Sequence, residues 1–347
     1  MESKIPGFSG YSTILSNVGQ TSNRGIELTL NSHLVKRNDF NLNFNFNIGR
    51  NQFKVDKLAS GEDVWTMASN WVSLSDLAGW EDYRLEVGKS MGIIYGYVYD
   101  GFYTVDDFLH EAGTTNYTLK KGVVDSSSLS GTPRPGNAKF RKIAPSDDVN
   151  PLIDDEDRTY IGNTTPKFSG GFGVTGNWKN FDFTVFFNFM YGFDVYNAMK
   201  MRFSSWSRNN SSNLSSEFSS DKRFRYFDNM GNDLRTDPIL LAQFNENASI
   251  YNPISMTRQV AMSYIIEDGS FLRLNNVQIG YTLPAKLSRK IGMNRLRFYA
   301  TGYNLHMWTK YSGYDPEVNV QKGLTPGVDD NSFPRASTYT FGVNITF

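Results

Sequence analysis

The residue types able to do chemistry are few in this chain and lie far apart. It contains three histidines, His33, His110 and His306, and no cysteine. Their separation does not match the close ligand spacing of a zinc site, and the chain has neither a cysteine nucleophile nor a Gly-x-Ser-x-Gly elbow. The sequence therefore predicts a protein that is not an enzyme, with His306 in a structural or interfacial role.

One acidic segment, residues 147–157, has the composition of a site for a hard cation. Its oxygen-bearing side chains include Asp148, Asn150, Asp154 and Asp157. Calcium is bound by several oxygen ligands that often come from one short loop, so these four residues are candidate ligands. The alternative is a solvated acidic loop without an ion.

The elements that must position the polar side chains are β-strands with one apolar face. In the last ten residues, Thr338 to Phe347, apolar Tyr339, Phe341 and Phe347 share one parity, and polar or small residues occupy the other. Only a period of two sorts the side chains in this way. Chain termini tend to be polar, so a final apolar strand favours a barrel that closes in lipid.

The same alternation recurs along the chain. A turn at Lys179-Asn180 separates two alternating runs and predicts a long antiparallel hairpin. The alternating runs are 26–31, 40–49, 168–178 and 181–189. Several of them reach about 10 residues, the span of a tilted transmembrane strand, whereas soluble strands average about 5 to 6. A soluble β-sandwich, which also alternates, remains the alternative.

Composition sets further limits. The chain has 35 basic and 35 acidic residues and 15% aromatic residues, a balance that does not indicate a nucleic-acid binder. A mean hydropathy of −0.44 excludes a helical membrane protein, but barrels have equally polar averages. Residues 1–7 contain no basic stretch followed by an apolar one, so no signal peptide is expected.

A collinear set of short motifs resembles the second half of the SusC/RagA family of TonB-dependent outer-membrane transporters. The clearest is Asp315-Pro316-Glu317 within the run 313–317, which precedes Phe333-Pro334-Arg335 and the terminal Phe347. The other motifs are Asn17-Val18-Gly19, 23–27, 88–92, 95–97, 100–103, 133–137, 160–163, 271–276, 280–284 and 303–305. Together they cover essentially the whole chain.

The resemblance implies an all-β fold and a role in import. Family members have a barrel of about 22 strands with an N-terminal plug, a SusD-like lipoprotein lid and energy from the TonB complex. Residues 1–347 would be the C-terminal portion of that barrel, without the plug or signal peptide. Counting strands along the sequence gives roughly eight to ten, so we expect a partial antiparallel transmembrane barrel with long extracellular loops. Residue spacing also predicts short helices near 194–206 and 285–291.

The resemblance also implies partners and residue roles. Cargo would be an oligosaccharide or peptide, outer-membrane lipid would surround the strands, and no cofactor or nucleic acid is expected. Tyr339, Phe341 and Phe347 resemble the signal that the barrel-assembly machinery reads. Relatives carry an Asp-Gly step in the acidic loop where this chain has Pro151-Leu152, which disfavours bound calcium.

Two aromatic clusters are interpreted as rings at the lipid headgroup level. They are Tyr95, Tyr97, Tyr99, Phe102 and Tyr103, and then Tyr299, Tyr303, Trp308, Tyr311 and Tyr314. Three other functions stay open: a passive porin, an adhesin-type barrel and a soluble secreted glycan-binding β-module.

Overall fold

The structure is a computed structural model that describes residues 2–4, 13–15, 19–58, 62–71, 81–204, 213–256, 259–318 and 323–347. Asn17 and Val18, which belong to one of the motifs, lie outside these ranges. Within the described part, no helix is long and apolar enough to cross a membrane.

The described residues contain twenty strands: β1 Glu2–Lys4, β2 Thr13–Leu15, β3 Gly19–Lys36, β4 Phe40–Leu58, β5 Val64–Met67, β6 Tyr83–Glu86, β7 Ile93–Gly96, β8 Tyr99–Phe102, β9 Phe108–His110, β10 Tyr117–Leu119, β11 Ala138–Phe140, β12 Thr159–Asn163, β13 Phe168–Trp178, β14 Phe181–Tyr191, β15 Asp194–Asn197, β16 Ile266–Asp268, β17 Phe271–Thr282, β18 Arg295–Thr309, β19 Val328–Asp329 and β20 Thr338–Thr346. The α-helices are α1 Ser127–Ser130, α2 Ala198–Arg202, α3 Pro238–Phe244 and α4 Ala285–Ser288. Short 3-10 turns are Val105–Asp107, Asp155–Asp157, Ser216–Phe218, Pro253–Ser255, Ser263–Ile265 and Arg289–Ile291.

Seven long strands form one sheet in the order β20-β18-β17-β14-β13-β4-β3, and every neighbouring pair is antiparallel. Three short turns, at 37–39, 179–180 and 283–294, join strands at one end of this sheet. Three long connections, 59–167, 192–270 and 310–337, lie at the other end. This asymmetry is typical of outer-membrane barrels, which have short turns on one side and long loops on the other.

Strand pairing sorts the side chains onto two faces, as the alternation predicts. Phe172 lies between Phe46 and Phe187, while the next residue, Gly173, lies between Asn45 and Phe186. The first set continues across all seven strands and forms what we call the apolar face. Phe186 is an exception on the polar face, where its ring covers Gly171 and Gly173, so that a Cβ at either glycine would clash with it.

An aromatic row crosses five strands at the short-turn end of the apolar face. Register places Phe40 beside Trp178, Trp178 beside Phe181, Phe181 beside Tyr281, and Tyr281 beside Phe298. We call these five residues the inner aromatic row. Aromatic rings at the two ends of an apolar band are characteristic of barrel strands at lipid headgroups.

A second set of rings lies at the long-connection end of the same face. Phe168 stacks on Tyr191 with ring centroids 4.9 Å apart, and Trp308 is exposed nearby on β18. Phe168 is ten residues from Trp178 along β13. At about 3.3 Å per residue and a tilt of about 40°, the two rows are about 25 Å apart, which matches the height of an apolar band in barrels.

The long connections fold into a packed unit, which we call the loop layer, rather than into separate solvated loops. Its core contains about twenty buried hydrophobic residues from all three connections, including Trp71, Ile94, Phe140, Tyr196, Phe218, Tyr251, Met262 and Val328. Several small sheets frame this core, including β12-β7-β6-β5 and β16-β15-β19. The composition of these segments, rich in Gly, Ser and Asp, did not predict such a core.

The structure changes three expectations that came from the sequence. The headgroup interpretation of the first aromatic cluster is wrong, because Tyr97 and Tyr103 are buried in the loop layer and Tyr99 packs on Tyr251 at 5.8 Å. The sequence count of roughly eight to ten barrel strands becomes seven in the large sheet of the described residues. The helix near 194–206 begins as strand β15 and turns helical only at Ala198, whereas the helix after Pro284 is confirmed.

Candidate functional site

The polar face of the large sheet is lined by amide side chains. Asn47 accepts a hydrogen bond at Oδ1 from the backbone N–H of Gly171 at 2.6 Å, and Asn275 donates through Nδ2 to Asn188 Oδ1 at 3.1 Å. His33 joins this surface through a 2.5 Å contact between Nδ1 and Asn43 Oδ1. A surface lined by amide groups offers both hydrogen-bond donors and acceptors to a polar, uncharged ligand.

A bidentate ion pair crosses this face between two strands. Arg297 donates through Nε to Asp182 Oδ1 at 2.9 Å and through a terminal nitrogen to Oδ2 at 2.5 Å. Gly280 lies between them, and a Cβ there would be 2.4 Å from the guanidinium and 2.6 Å from the carboxylate. The absent side chain therefore makes room for the fork-to-fork geometry that arginine and carboxylate prefer.

A second ionic cluster joins two of the sequence motifs, 271–276 and 313–317. Arg273, from the β17 motif 271–276, donates to Asp315 Oδ1 at 2.7 Å and lies 3.3 Å from Glu317 Oε2. Arg273 is only 3% exposed. Asp315 also accepts the backbone N–H of Glu317 at 2.9 Å, and Arg335 contacts Glu317 at 3.0 Å.

This cluster explains the Asp315-Pro316-Glu317 motif in physical terms. The two acids follow β18 in the third long connection, and the arginine projects from the polar face of β17. A buried charge is stable only when it is paired and hydrogen-bonded, so the pair fixes the connection over the end of the polar face. The motif is visible in the sequence but its partner is not, because Arg273 is 42 residues away from Asp315.

A cleft of about 570 Å³ opens in the loop layer beside α2. Lys200, Glu217, Tyr314 and Asp329 are among its lining residues. The Lys200 ammonium lies 3.2 Å from Glu267 and 4.1 Å from the centre of the Tyr264 ring, and Tyr314 is 73% exposed. Because Tyr314 precedes Asp315 in the chain, the cleft lies beyond the loop-side end of the polar face.

The cleft combines a cation, carboxylates and an exposed ring. Such a surface can bind a peptide or a sugar through charged hydrogen bonds and ring stacking. No sequence signal predicted it, since its lining residues come from separate connections with unrelated local patterns.

Other titratable groups of the loop layer are structural. Burial raises the pKa of the Tyr103 hydroxyl to about 12, and its hydroxyl donates to the Val124 carbonyl at 2.6 Å. Burial also raises the pKa of Asp82, which accepts hydrogen bonds from the Ser69 N–H and hydroxyl. These groups rigidify the layer and do not face the cleft.

The candidate calcium ligands do not assemble into a cation site. Asp157 is fully buried, and its two oxygens accept the N–H groups of Ile143, Ala144 and Asp154 together with the Lys142 ammonium at 2.9 Å. Asp154 also accepts from Lys142, at 3.1 Å.

The two remaining candidates have local partners of their own. Asn150 donates to two backbone carbonyls, and Asp148 accepts from the Ser146 hydroxyl. The ammonium of Lys142 occupies the position that a cation would take, so these residues do not fit calcium. Across the described ranges, no group of three or more His, Asp or Glu side chains could hold a metal.

In the described part of the chain, the histidines form no cluster, and the terminal strand lies at an edge of the large sheet. The three histidines lie apart, and His306 packs on Trp308 at 4.5 Å on the apolar face. Tyr339, Phe341 and Phe347 are 68%, 81% and 81% exposed at the edge of the sheet. Register places Tyr339 and Phe341 on the apolar face, opposite Gly302 and Ala300. Phe347 follows the end of β20, so its face and the role of all three residues in assembly stay predictions.

Comparison with known proteins adds relatives over the whole chain. No protein-family model matches. The chain is 29% identical over 349 residues to TonB-dependent receptor P3 of Formosa agariphila, an alignment that covers 99% of this chain and 30% of the relative. It is 25% identical over 354 residues to TonB-dependent receptor SusC of Bacteroides thetaiotaomicron, with 99% of this chain and 28% of the relative covered.

Solved structures show the same fold. The RagAB peptide transporter matches with a TM-score of 0.63 and 21% identity, over 99% of this chain and 31% of that chain. The RagAB peptide importer in its "open-open" state matches with a TM-score of 0.61, 20% identity, and 100% and 31% coverage. The chain therefore spans less than a third of the length of the relatives it matches.

Proposed function

We propose that this chain, which is SusC/RagA-like over its whole length, forms the C-terminal part of the barrel wall of a TonB-dependent outer-membrane importer. The observation that carries the proposal is the seven-stranded antiparallel sheet with an exposed apolar face about 25 Å high between two sets of aromatic rings. A soluble sheet would bury such a face against a second layer.

The two faces of this sheet support the proposed placement in a membrane. Its apolar face contacts lipid, and its amide-lined face contacts the aqueous interior of the barrel. In the described residues, β3 and β20 each pair on one side only. Unpaired backbone groups in lipid cost several kcal/mol each, so further strands complete the barrel in the membrane.

The partners in this proposal are those of the SusC type. A SusD-like lipoprotein covers the loop layer, the TonB complex supplies energy through a plug, and the barrel-assembly machinery reads the terminal strand. Support comes from the similarity to receptors named as TonB-dependent and from the loop layer, which presents a folded surface at the outer end.

The cargo in this proposal is a peptide or oligosaccharide fragment. Two features support it: the amide-lined polar face, and the cleft in which Lys200, Glu217 and Tyr314 offer charges and a ring. The chemistry is binding and translocation. Passive diffusion through a porin would not require the fixed cluster at Arg273 over the end of the polar face.

The test uses the full-length protein in its own host. The protein should fractionate with outer membranes and migrate differently on a gel before and after heating. Deleting its gene should abolish uptake of a labelled peptide or oligosaccharide mixture, and so should removing TonB. Folded protein in the soluble fraction would refute the barrel, and uptake that persists without TonB would indicate a porin.

A variant pair tests the cleft separately. Lys200→Gln should lower cargo uptake per assembled molecule, because it removes the cation of the cleft. Lys121→Gln, at an exposed position in another part of the loop layer, is the matched control and should leave uptake unchanged. Equal uptake by both variants would place the cargo site elsewhere.

A further inference from the structure

Positive charge is concentrated on the three short turns of the large sheet and the strand end before the first of them, which we call the turn face (residues 36–39, 179–180 and 283–294). Lys36 is the last residue of β3, Arg37 lies on the first turn and Lys179 on the second. The third turn carries three more cations, Lys286, Arg289 and Lys290. All six are exposed, in a chain whose overall formal charge is zero.

The turn face has little negative charge of its own. Its only acidic residue is Asp39. None of the six cations forms an ion pair with any residue that the structure describes, in contrast to Arg273 and Arg297, which both have carboxylate partners. These charges are therefore available to an external anion.

The cations lie immediately beyond the inner aromatic row. Lys179 directly follows Trp178, and its ammonium is 5.7 Å from the centre of that ring, while Phe40 follows Asp39 at the end of the first turn. Aromatic rings mark the boundary between acyl chains and headgroups. The next level outward is that of the lipid phosphates, where the turn cations lie.

The third turn is also amphipathic. Leu287 and Ile291 are 48% and 55% exposed beside its three cations. The turn is tied to the sheet at both ends, through Leu283 N–H to the Leu296 carbonyl at 2.8 Å and Asn294 N–H to the Thr346 carbonyl at 2.7 Å. Exposed apolar side chains next to cations fit the interface between headgroups and acyl chains, where both are solvated.

We propose that the turn face is a binding site for the phosphate headgroups of anionic phospholipids in the leaflet nearest the short turns. This inference rests on the proposed function, since it needs the sheet to span a membrane. The cations hold headgroup phosphates by charge-assisted hydrogen bonds, and Leu287 and Ile291 contact the upper acyl chain. Lipid binding at the turn face thereby fixes the depth at which the barrel lies in the membrane.

The experiment compares lipid binding by the full-length protein with that of a triple variant, Lys286→Gln, Arg289→Gln and Lys290→Gln. Purified protein in non-ionic detergent is titrated with phosphatidylglycerol or phosphatidylcholine, and bound lipid is measured after separation. One cation near an anionic surface contributes about 1 kcal/mol, or about fivefold, to binding, so removing three should weaken phosphatidylglycerol binding by about 100-fold. Phosphatidylcholine binding should not change.

The matched control removes three cations from the opposite end of the sheet, as Arg24→Gln, Arg50→Gln and Lys54→Gln. These residues are also exposed and form no ion pair with a described residue, so the change in net charge is identical. The control should bind phosphatidylglycerol as the unaltered protein does. Salt should weaken binding by the unaltered protein and the control more than by the turn variant.

The outcomes separate the two proposals. A heat-modifiable outer-membrane barrel with no preference for phosphatidylglycerol would overturn the lipid site and leave the proposed function standing. Equal losses in both triple variants would show that net charge, and not the turn face, determines binding. If the turn variant bound lipid normally but lost an acidic periplasmic protein from its complexes, protein docking would replace lipid binding. A soluble unaltered protein would overturn both proposals.

Discussion

Replacing Asp315 by alanine tests whether the buried ion pair holds the third long connection over the polar face. The side chains of Arg273 and Asp315 are 3% and 8% exposed, and the charged hydrogen bond between them is 2.7 Å long. Removing one member of a buried pair typically costs about 3–5 kcal/mol, because the other charge stays buried. Glu317, 3.3 Å from Arg273, remains as a partial partner, so we expect the lower end, about 3 kcal/mol.

This cost should appear as local opening of residues 310–337. About 3 kcal/mol corresponds to an increase of about 100-fold in the opened population. Protease cleavage follows that population when closing is faster than cutting. We therefore expect cleavage within this segment to be about 100-fold faster in the assembled Asp315→Ala protein, while heat-modifiable migration is retained.

Two controls make this prediction specific. Asp100→Ala removes a carboxylate from an exposed pair with Arg141, 3.0 Å long, with side chains 39% and 60% exposed. Exposed pairs contribute about 1 kcal/mol or less, so cleavage of 310–337 should be unchanged. Arg273→Met combined with Asp315→Leu removes both charges and should restore resistance. The ion pair would not hold the connection in place if Asp315→Ala were cut no faster than Asp100→Ala, or if the double variant were cut as fast as the single one.

Three further predictions follow from the faces and the loop layer. Val185→Lys places a charge at mid-height on the apolar face at a cost of about 2–4 kcal/mol, so the yield of assembled barrel should fall. Thr184→Lys, on the polar face, should assemble normally. Similar yields for the two variants would contradict the assigned faces. Deleting Phe347 should lower the amount of assembled barrel more than uptake per assembled molecule, and normal assembly with reduced cargo affinity would place this residue on the polar face. Burial alone would raise the pKa of Asp157, but backbone N–H groups and the Lys142 ammonium hold it below its ordinary value. The ionised Asp157 side chain therefore stabilises the fold above about pH 4, and this contribution is lost as the pH falls through the lowered pKa. Residues 142–158 should become sensitive to pepsin only in strong acid. Asp157→Asn should abolish this pH dependence.

The sequence by itself determined the sheet and its two faces. Alternation with a period of two leaves one assignment of side chains to faces, and the register observed between Val174 and Val185 agrees with it. The turn at Lys179-Asn180 was also readable, and Lys179 adopts the left-handed conformation, φ 54°, that such a tight turn needs. These features are local, so neighbouring residues encode them.

The loop layer was decided only by the tertiary structure. Tyr97 and Tyr103 are residues of a type suited to interfacial rings, yet both are buried. Tyr97 packs in the core that all three connections share, and its N–H donates to the Ala261 carbonyl of the second connection. Tyr103 packs within the first connection, against Phe108 and Ser126. A ring is equally suited to a headgroup region and to a protein core, so its residue type does not distinguish the two.

In the ionic sites, too, the sequence shows which residues carry charge and only the tertiary structure shows which of them pair. The sequence singled out Asp315 and Glu317, but only the fold shows that Arg273 pairs with them, since nothing local links residues 42 positions apart. The sequence suggested Asp154 and Asp157 as cation ligands, because a residue type shows the charge of a side chain but not which residue it pairs with. Their partner proved to be Lys142, and the three side chains meet only because the folded chain brings that lysine against the acidic turn.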